Sequence, residues 1–238
     1  MTEVKRLLYE GKAKQVFETQ HTDEVIIHFK DTATAFNGKK SEDLMDKGII
    51  NNAISNILFH RLEKQGIKTH LVKILNDREV IAQKIDIIPL EVVVRNIVAG
   101  SLAKRTGLKE GENIDGGILE FYYKDDDLGD PLLNKDHIEL LTLATKSEVA
   151  VLEGLAHQIN QYLIDLFKSI GLILVDFKLE FGRYKDQIIL GDEISPDTCR
   201  LWDSSTKRIM DKDRFRKDLG DVTTSYREIL DRLKQLEA

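Results

Sequence analysis

Two neighbouring strand-like runs near residue 180 constrain the fold more than any other part of the sequence. The first, 174–182, alternates apolar and charged residues, and the second ends in two acids after a short turn-like link. Because side chains alternate between the faces of a strand, Asp176, Lys178 and Glu180 share one face, while the apolar residues between them can be buried. If the two runs pair as a hairpin, Asp192 lies beside that charged row. The sequence therefore predicts an antiparallel hairpin that brings a lysine and several acids together.

The chemistry of this charged row favours a site for phosphates and a divalent cation. Carboxylate oxygens suit Mg²⁺ when the ion is held together with substrate phosphates, and a lysine between the acids suits a phosphate group. A solvated sheet edge on which charges alternate without function is the alternative interpretation, because such alternation is common on water-facing strands. Both interpretations stay open on these residues alone.

Three further stretches carry candidate anion-binding residues. Lys12 and Lys14 follow a glycine at a predicted tight turn, where they can hold phosphate oxygens or be ordinary surface lysines. Arg95 leaves a predicted buried strand, and Ser101 is predicted to cap a short helix. The two residues therefore either bind an anion or make only a helix cap and a surface ion pair. Arg200 lies in a turn-rich stretch and can reach a phosphate from the side opposite Arg95.

Composition and missing motifs narrow the class of protein. The formal net charge of −6 argues against bulk binding of nucleic acid, and no apolar run approaches the length of a membrane span. The polar N-terminus does not resemble a signal peptide, and a single cysteine fits a reducing compartment, so we expect a cytoplasmic enzyme or binding protein. Neither the P-loop pattern nor G-x-G-x-x-G occurs. The many phosphate- and metal-binding candidates indicate phosphoryl transfer on another fold.

The order of strand-like and helical patterns predicts an α+β protein. Strand-like runs dominate the first third, and apolar residues at helical spacing indicate a helix over 49–65. Pro89 marks a predicted hinge, which divides the chain into an N-terminal antiparallel sheet domain, 1–85, and a larger α+β domain, 86–238. Ser147 is predicted to cap a long helix.

A set of short segments across nearly the whole chain matches a known family in order. They are residues 9–14, 33–38, 47–52, 93–96, 99–105, 172–182, 191–197, 200–203 and 211–215. On these segments the chain resembles the SAICAR synthetase (phosphoribosylaminoimidazole-succinocarboxamide synthase) family. The resemblance implies an ATP-grasp-like architecture in which an N-terminal sheet covers ATP and the nucleotide lies in a cleft near residues 84–90.

The resemblance implies an ATP-dependent carbon–nitrogen ligase of de novo purine (IMP) biosynthesis. Its substrates would be ATP, L-aspartate and carboxyaminoimidazole ribotide (CAIR), its products SAICAR, ADP and phosphate, and its metal cofactor Mg²⁺. Our hypothesis for the mechanism is that ATP phosphorylates the CAIR carboxylate and that the aspartate amine attacks the resulting acyl phosphate. No nucleic-acid or membrane partner is expected, and a homodimer is compatible with the resemblance.

The resemblance also implies roles for the candidate residues. Nucleotide phosphates would be held by Lys12, Lys14 and Lys178. Mg²⁺ would be held by Glu180 and Asp192. The ribotide would be bound by Arg95, Ser101 and Arg200, with the arginines mostly at its phosphate. Asp176 would lie near the imidazole end and, with Lys178, take part in catalysis.

The sequence leaves two other functions and two details of the site open. A small-molecule kinase on a related ATP-binding scaffold would also use lysines and metal-binding acids, and a non-catalytic nucleotide sensor would use the binding groups alone. Family members commonly have a second acid where this chain has Thr32, so Asp31 either substitutes for it or lies away from the substrates. Neither the residues that bind aspartate nor the base for its amine can be assigned from the sequence.

Overall fold

The structure, a computed structural model, describes residues 6–36 and 38–236 of the chain. Its first part contains β1 (Leu7–Glu10), β2 (Lys14–Glu18), β3 (Glu24–Phe29), β4 (Thr32–Ala35), β5 (Lys40–Asp43), α1 (Lys47–Lys64), β6 (Leu71–Ile74) and β7 (Glu79–Gln83). Within these residues, five strands form an antiparallel sheet in the order β1-β2-β3-β7-β6, and β4 pairs with β5 as a separate hairpin.

The second part is built around a longer antiparallel sheet. Its elements are β8 (Asp86–Ile97), α2 (Gly100–Thr106), β9 (Asn113–Tyr123), β10 (Leu132–Leu133), α3 (Lys135–Leu140), α4 (Lys146–Ser169), β11 (Leu172–Tyr184), β12 (Gln187–Gly191), β13 (Cys199–Asp203), α5 (Asp213–Arg216) and α6 (Val222–Lys234). Over the described residues the sheet runs β10-β9-β8-β11-β12, and β13 pairs with the first half of β11. Antiparallel sheets with helices on their faces confirm the predicted α+β class.

The core lies between the central strands and the long helices. Alternate residues of β8 and β11, such as Val92 and Leu179, are completely buried, as are Leu152 and Ile159 of α4. Burying one such side chain contributes roughly 1.5–3 kcal/mol, so this apolar face anchors the sheet. The opposite faces of β8 and β11 are left for polar side chains.

The predicted hairpin near residue 180 is confirmed. β11 pairs with β12 in antiparallel register, with Glu180 opposite Gly191, so Asp192 follows the residue that faces Glu180. On its other side β11 pairs with β8, which places Asp176 opposite Arg95. The charged row is therefore flanked by partner strands on both sides instead of forming a solvated edge.

Two helix caps differ from the prediction. The long helix α4 is capped by Thr145, whose hydroxyl accepts from the Glu148 N–H at 3.2 Å while the Glu148 carboxylate accepts from the Thr145 N–H at 2.8 Å. Ser147 lies inside the first turn because the reciprocal capping box needs its acid three residues after the cap. Likewise α2 begins at Gly100 after Ala99, so Ser101 is a helical residue and not the cap.

Pro89 lies within strand β8, not between elements. The pairing of β8 with β11 shifts register between Glu180 and Gly182, close to the proline, which is where a residue without an N–H is tolerated in a sheet. Along the chain, the first of the two larger sheets ends with β7 and the second begins with β8. The domain boundary at residues 85 and 86 stays a prediction. Among the described residues, no helix has both the length and the apolar character of a membrane span.

Candidate active site

A cleft of about 320 Å³ opens on the polar face of β8, β11 and β13, beneath the tip of the β4–β5 hairpin. Most of its charged lining residues come from strands that meet only in the folded sheet. These charged residues include Lys12, Glu91, Arg95, Asp176, Lys178 and Arg200. The cleft therefore gathers five of the sequence-predicted site residues in one cavity.

Lys178 lies between two acids on neighbouring strands. The register places Glu180 of β11 directly opposite Glu91 of β8, a pairing of like charges that would be unfavourable without a cation. The Lys178 ammonium donates to Glu180 at 2.7 Å and to Glu91 at 2.8 Å. Burial opposes its charge, but the carboxylates of Glu180, Asp192 and Glu91 raise the pKa of Lys178 well above its usual value. Lys178 is thus a fixed positive charge in the cleft wall.

The two candidate metal ligands are both held by lysines. Glu180 is only 3% exposed, and its second oxygen accepts from Lys124 at 2.5 Å. Asp192 forms an ion pair with Lys14, which also lies 2.8 Å from Glu193. Burial favours the neutral acid, but Lys14 and Lys178 hold the pKa of Asp192 below its usual range. Asp192 is therefore available as an anion.

The donor set fits a magnesium ion completed by substrate oxygens. Within residues 6–36 and 38–236, no three His, Cys, Asp or Glu side chains already form a metal cage. Mg²⁺ commonly binds through one or two carboxylates together with phosphates, and Glu180 and Asp192 supply that number. The Oε2 atom of neighbouring Glu193 is buried and accepts no hydrogen bond, which leaves one further carboxylate oxygen without a donor here.

Arg95, Ser101 and Arg200 form a second cluster around Asp176. Arg95 donates to Asp176 at 3.0 Å and to the Ser101 hydroxyl at 3.0 Å, while Arg200 donates to both Asp176 oxygens at 3.0 and 2.8 Å. A Cβ on Gly100 would lie 2.6 Å from the Arg200 guanidinium, so only glycine permits this approach. The predicted ribotide-binding residues are thus brought together.

Lys12 and Lys14 do not share a partner. Lys12 lines the cleft and pairs with Asp126, whereas Lys14 turns toward Asp192 and is largely buried. The Lys12 side chain is half exposed, so it is the freer of the two to contact a ligand. Lys12 precedes β2 in the turn, whereas Lys14 is the first residue of that strand.

Sequence reasoning missed two residues that contact the charged row of β11, Glu91 and Lys124. Glu91 contacts Lys178. The sequence did contain a signal for Glu91, because it lies four residues before Arg95 and therefore on the same strand face. Lys124 contacts Glu180 from the end of β9, and no local pattern connects these two residues.

Neither residue of the Asp31–Thr32 pair belongs to the described lining of the cleft. Asp31 accepts from Arg78 twice at 2.8 Å and from the Gly48 N–H at 2.9 Å. The Thr32 hydroxyl donates to Asp43 at 2.8 Å. Asp31 therefore joins α1 to the first sheet and does not replace a missing site acid.

Comparison with known proteins agrees with this arrangement. The family model described as SAICAR synthetase matches residues 7–233. A phosphoribosylaminoimidazole-succinocarboxamide synthase from Caldanaerobacter subterraneus subsp. tengcongensis is 54% identical over 98% of this chain and 100% of that protein. The crystal structure of the Ehrlichia chaffeensis enzyme of the same name is 48% identical, with a TM-score of 0.94 over 96% of this chain and 98% of that one.

A further solved structure, a SAICAR synthetase in complex with ADP, is 48% identical with a TM-score of 0.93 over 96% of this chain and 97% of that one. These structures have the ATP-grasp-like fold, which confirms the predicted fold class. The match extends through all the strands that build the cleft. The chain belongs to the SAICAR synthetase family.

Proposed function

We propose that this chain is the ATP-dependent carbon–nitrogen ligase that joins L-aspartate to the carboxylate of CAIR, giving SAICAR, ADP and phosphate in de novo purine biosynthesis. The synthase named above, which aligns over its entire length, and the ADP complex of a 48% identical relative support this assignment. The structural observation that carries it is Lys178, held between Glu180 and Glu91 in a cleft whose floor also presents Arg95 and Arg200.

The chemistry requires activation because a free carboxylate is a poor electrophile whose leaving group would be oxide. Transfer of the ATP γ-phosphoryl group to a CAIR carboxylate oxygen releases ADP and gives an acyl phosphate. The aspartate amine then attacks the acyl carbon, the C–N bond forms, and inorganic phosphate leaves with the bonding electrons. The amine loses a proton in this step, so the overall products are the amide, ADP and phosphate.

Phosphoryl transfer depends mainly on positioning and charge neutralisation, and the lysines supply both. In the proposal Lys12, Lys14 and Lys178 contact the nucleotide phosphates, and Lys178 also neutralises charge on the transferred group. Its raised pKa supports this role, because the ammonium stays charged at any physiological pH.

Glu180 and Asp192 are proposed to hold Mg²⁺, which when bound would screen the phosphate charges. When nucleotide binds, Lys14 and Lys178 can contact phosphate oxygens and release these carboxylates, since each lysine is now paired with one of them.

Arg95, Ser101 and Arg200 are proposed to bind the ribotide, with both guanidinium groups at its phosphate. Arginine suits this task because its planar donors match phosphate oxygens two at a time. Asp176 holds both arginines in place and lies on the cleft floor, where it can meet the imidazole end of the ribotide.

The function can be tested by measuring product formation while one substrate at a time is omitted. The purified protein would be incubated with ATP, Mg²⁺, CAIR and L-aspartate, and ADP and SAICAR would be measured by mass spectrometry. We expect ADP to accumulate with SAICAR in equal amounts only when all substrates are present. Phosphorylation of an alcohol without aspartate would instead identify the small-molecule kinase, which the relatives' names do not support. Nucleotide binding with no ADP formation would identify a sensor.

We also propose a cytoplasmic location and a homodimer. The free, buried Cys199 fits a reducing compartment. The net charge of −6 gives no electrostatic basis for a nucleic-acid partner. Light scattering would measure the mass in solution, and a value near the 27.2 kDa of one chain would contradict the dimer.

A further inference from the structure

An exposed aromatic ring lies at the mouth of the charged cleft. Among the described lining residues only Lys12, Phe36 and Gly38 are exposed, so these three mark the opening to solvent. Phe36 is 59% exposed. The other aromatic residue in this described lining, Phe177, is only 1% exposed. Phe36 is therefore the ring of the described lining that a ligand in the cleft can reach.

The backbone of Phe36 has an unfavourable conformation that burial of its ring does not offset. Its φ is 55°, in the left-handed region, where a bulky side chain is a genuine outlier. Backbone strain of this kind is concentrated at active sites and at the segments that clamp ligands. A large apolar ring that is both strained and left in water indicates a position that a ligand covers.

The hairpin that carries Phe36 is anchored through both of its strands. Ala33 and Ala35 of β4 are 1% and 6% exposed and belong to the main hydrophobic core. The Lys40 ammonium of β5 donates to the Phe215 carbonyl oxygen at 2.5 Å and lies 4.4 Å from the centroid of the Phe215 ring. These contacts fix the place at which the hairpin presents the exposed ring.

The position of the cleft decides which substrate the ring meets. The floor presents Arg95, Asp176 and Arg200, the residues proposed for the ribotide. Residues 84–90, where the adenine of ATP is expected, contribute nothing to the lining as far as the structure describes it. L-Aspartate has no ring. We propose that Phe36 packs against the imidazole ring of bound CAIR and covers its carboxylate on the solvent side. This inference rests on the proposed function and deepens it.

An aromatic cover at this point would do two things for the reaction. Offset stacking of two flat rings adds to the affinity for CAIR. The cover also keeps water from the acyl phosphate, which can react in two ways. Attack by the aspartate amine on the acyl carbon forms the C–N bond and releases phosphate. Attack by water at the same carbon forms a C–O bond, releases phosphate and a proton, and returns CAIR, so that ATP is hydrolysed without forming SAICAR.

Phe36→Gly tests the proposal without endangering the fold, because glycine adopts a φ of 55° freely. We expect the KM for CAIR, and its Kd measured by calorimetry, to rise about 5- to 20-fold, the effect of losing one stacking contact and the apolar surface that it buries. The KM values for ATP and L-aspartate should stay within about twofold, since their contacts are unchanged. ADP should exceed SAICAR in this variant, whereas the unmodified protein should form the two in equal amounts.

Three comparisons separate the ring from the turn that carries it and from the ribotide phosphate. Phe36→Tyr keeps the aromatic face and should bind CAIR within about twofold of the unmodified protein. Lys39→Gly loosens the same turn at an exposed residue outside the described lining, and should change neither the CAIR affinity nor the ratio of ADP to SAICAR. Ribose 5-phosphate, which has no base ring, should bind the unmodified protein and Phe36→Gly equally well.

The outcomes distinguish this inference from the function beneath it. If the unmodified protein neither binds CAIR nor forms aspartate-dependent ADP, the proposed function fails and the inference fails with it. If the unmodified protein is active but Phe36→Gly leaves the CAIR affinity unchanged, or weakens ribose 5-phosphate as much as CAIR, the inference alone is overturned. A selective rise in the ATP KM would place the ring against adenine and overturn it equally. A raised CAIR Kd with equal ADP and SAICAR would support the contact and overturn the shielding of the acyl phosphate.

Discussion

Arg95 and Arg200 donate to the same oxygen of Asp176, at 3.0 and 2.8 Å, from strands that lie on opposite sides of β11. Asp176 is 4% exposed, so this shared carboxylate compensates the charge of the buried Arg95 and that of the partly buried Arg200. The pair of arginines is therefore positioned before any ligand arrives, by the shared Asp176 together with Glu120 for Arg95 and Asp213 for Arg200.

Replacing that acid should destabilise the fold. For Asp176→Ala we expect the free energy of unfolding to fall by about 1–3 kcal/mol, because two guanidinium groups lose the carboxylate they share while Glu120 and Asp213 still accept from them. Urea denaturation would measure it. Asp165→Ala, on an exposed residue of α4, serves as the control and should change stability by less than about 0.5 kcal/mol. Equal effects of the two substitutions would contradict the account.

Lys178→Ala should mainly reduce turnover. The ammonium is proposed to act on the transferred phosphoryl group, and losing one such donor typically lowers kcat by about 10²- to 10³-fold. Initial rates at saturating ATP, CAIR and L-aspartate would measure the loss. Lys185→Ala, on an exposed residue of the β11–β12 turn, should retain full activity. A kcat near that of the unmodified protein would count against the role of Lys178.

Asp192→Asn should weaken the response to Mg²⁺ while preserving the backbone. Asp192 has a φ of 55°, and asparagine tolerates this left-handed conformation as well as aspartate does. Only the charge is then lost, and we expect the Mg²⁺ concentration for half-maximal activity to rise about tenfold. Titration of activity with Mg²⁺ at fixed ATP would show the shift. No change relative to Asp186→Asn, on an exposed turn residue, would rule out Asp192 as a ligand.

Glu148 should stabilise the protein in a pH-dependent way. Hydrogen bonds from Arg183 and from the Thr145 N–H lower its pKa from 4.5 to about 2. A carboxylate whose pKa is lower in the folded state stabilises the fold above its unfolded pKa, and the effect is lost as the pH falls toward the folded value. The difference in Tm between the unmodified protein and Glu148→Gln should therefore be constant above about pH 5.5 and shrink from pH 4.5 to 2. A Tm difference independent of pH would contradict this.

Gly48 should not tolerate a side chain. A Cβ there would lie 2.4 Å from the Phe29 carbonyl oxygen and 2.9 Å from that of Lys30, both of which are backbone atoms. Gly48→Ala should therefore destabilise the protein by about 1–3 kcal/mol, as overpacking does. Gly154→Ala, in the interior of α4 with open space where its Cβ would lie, should instead stabilise it by about 0.5–1 kcal/mol. Thermal unfolding of both variants would reveal the opposite signs.

The local sequence pattern was sufficient to predict the hairpin at residues 174–193. Strand alternation places Asp176, Lys178 and Glu180 on one face regardless of the surroundings. The local pattern was less reliable for predicting the residue at which a helix begins. Thr145 and Ser147 are both good caps by residue type, and only the reciprocal bond with Glu148 decides between them.

The sequence by itself determined the strand periodicity, the α+β class, the family and most of the charged residues of the cleft, since these depend on residues close together in the chain. Only the tertiary structure decided which charges compensate each other. Lys124 meets Glu180 across 56 residues and Lys14 meets Asp192 across 178. Such pairings follow from sheet register and from the requirement that buried charges find partners, and no pattern within a short window contains either condition.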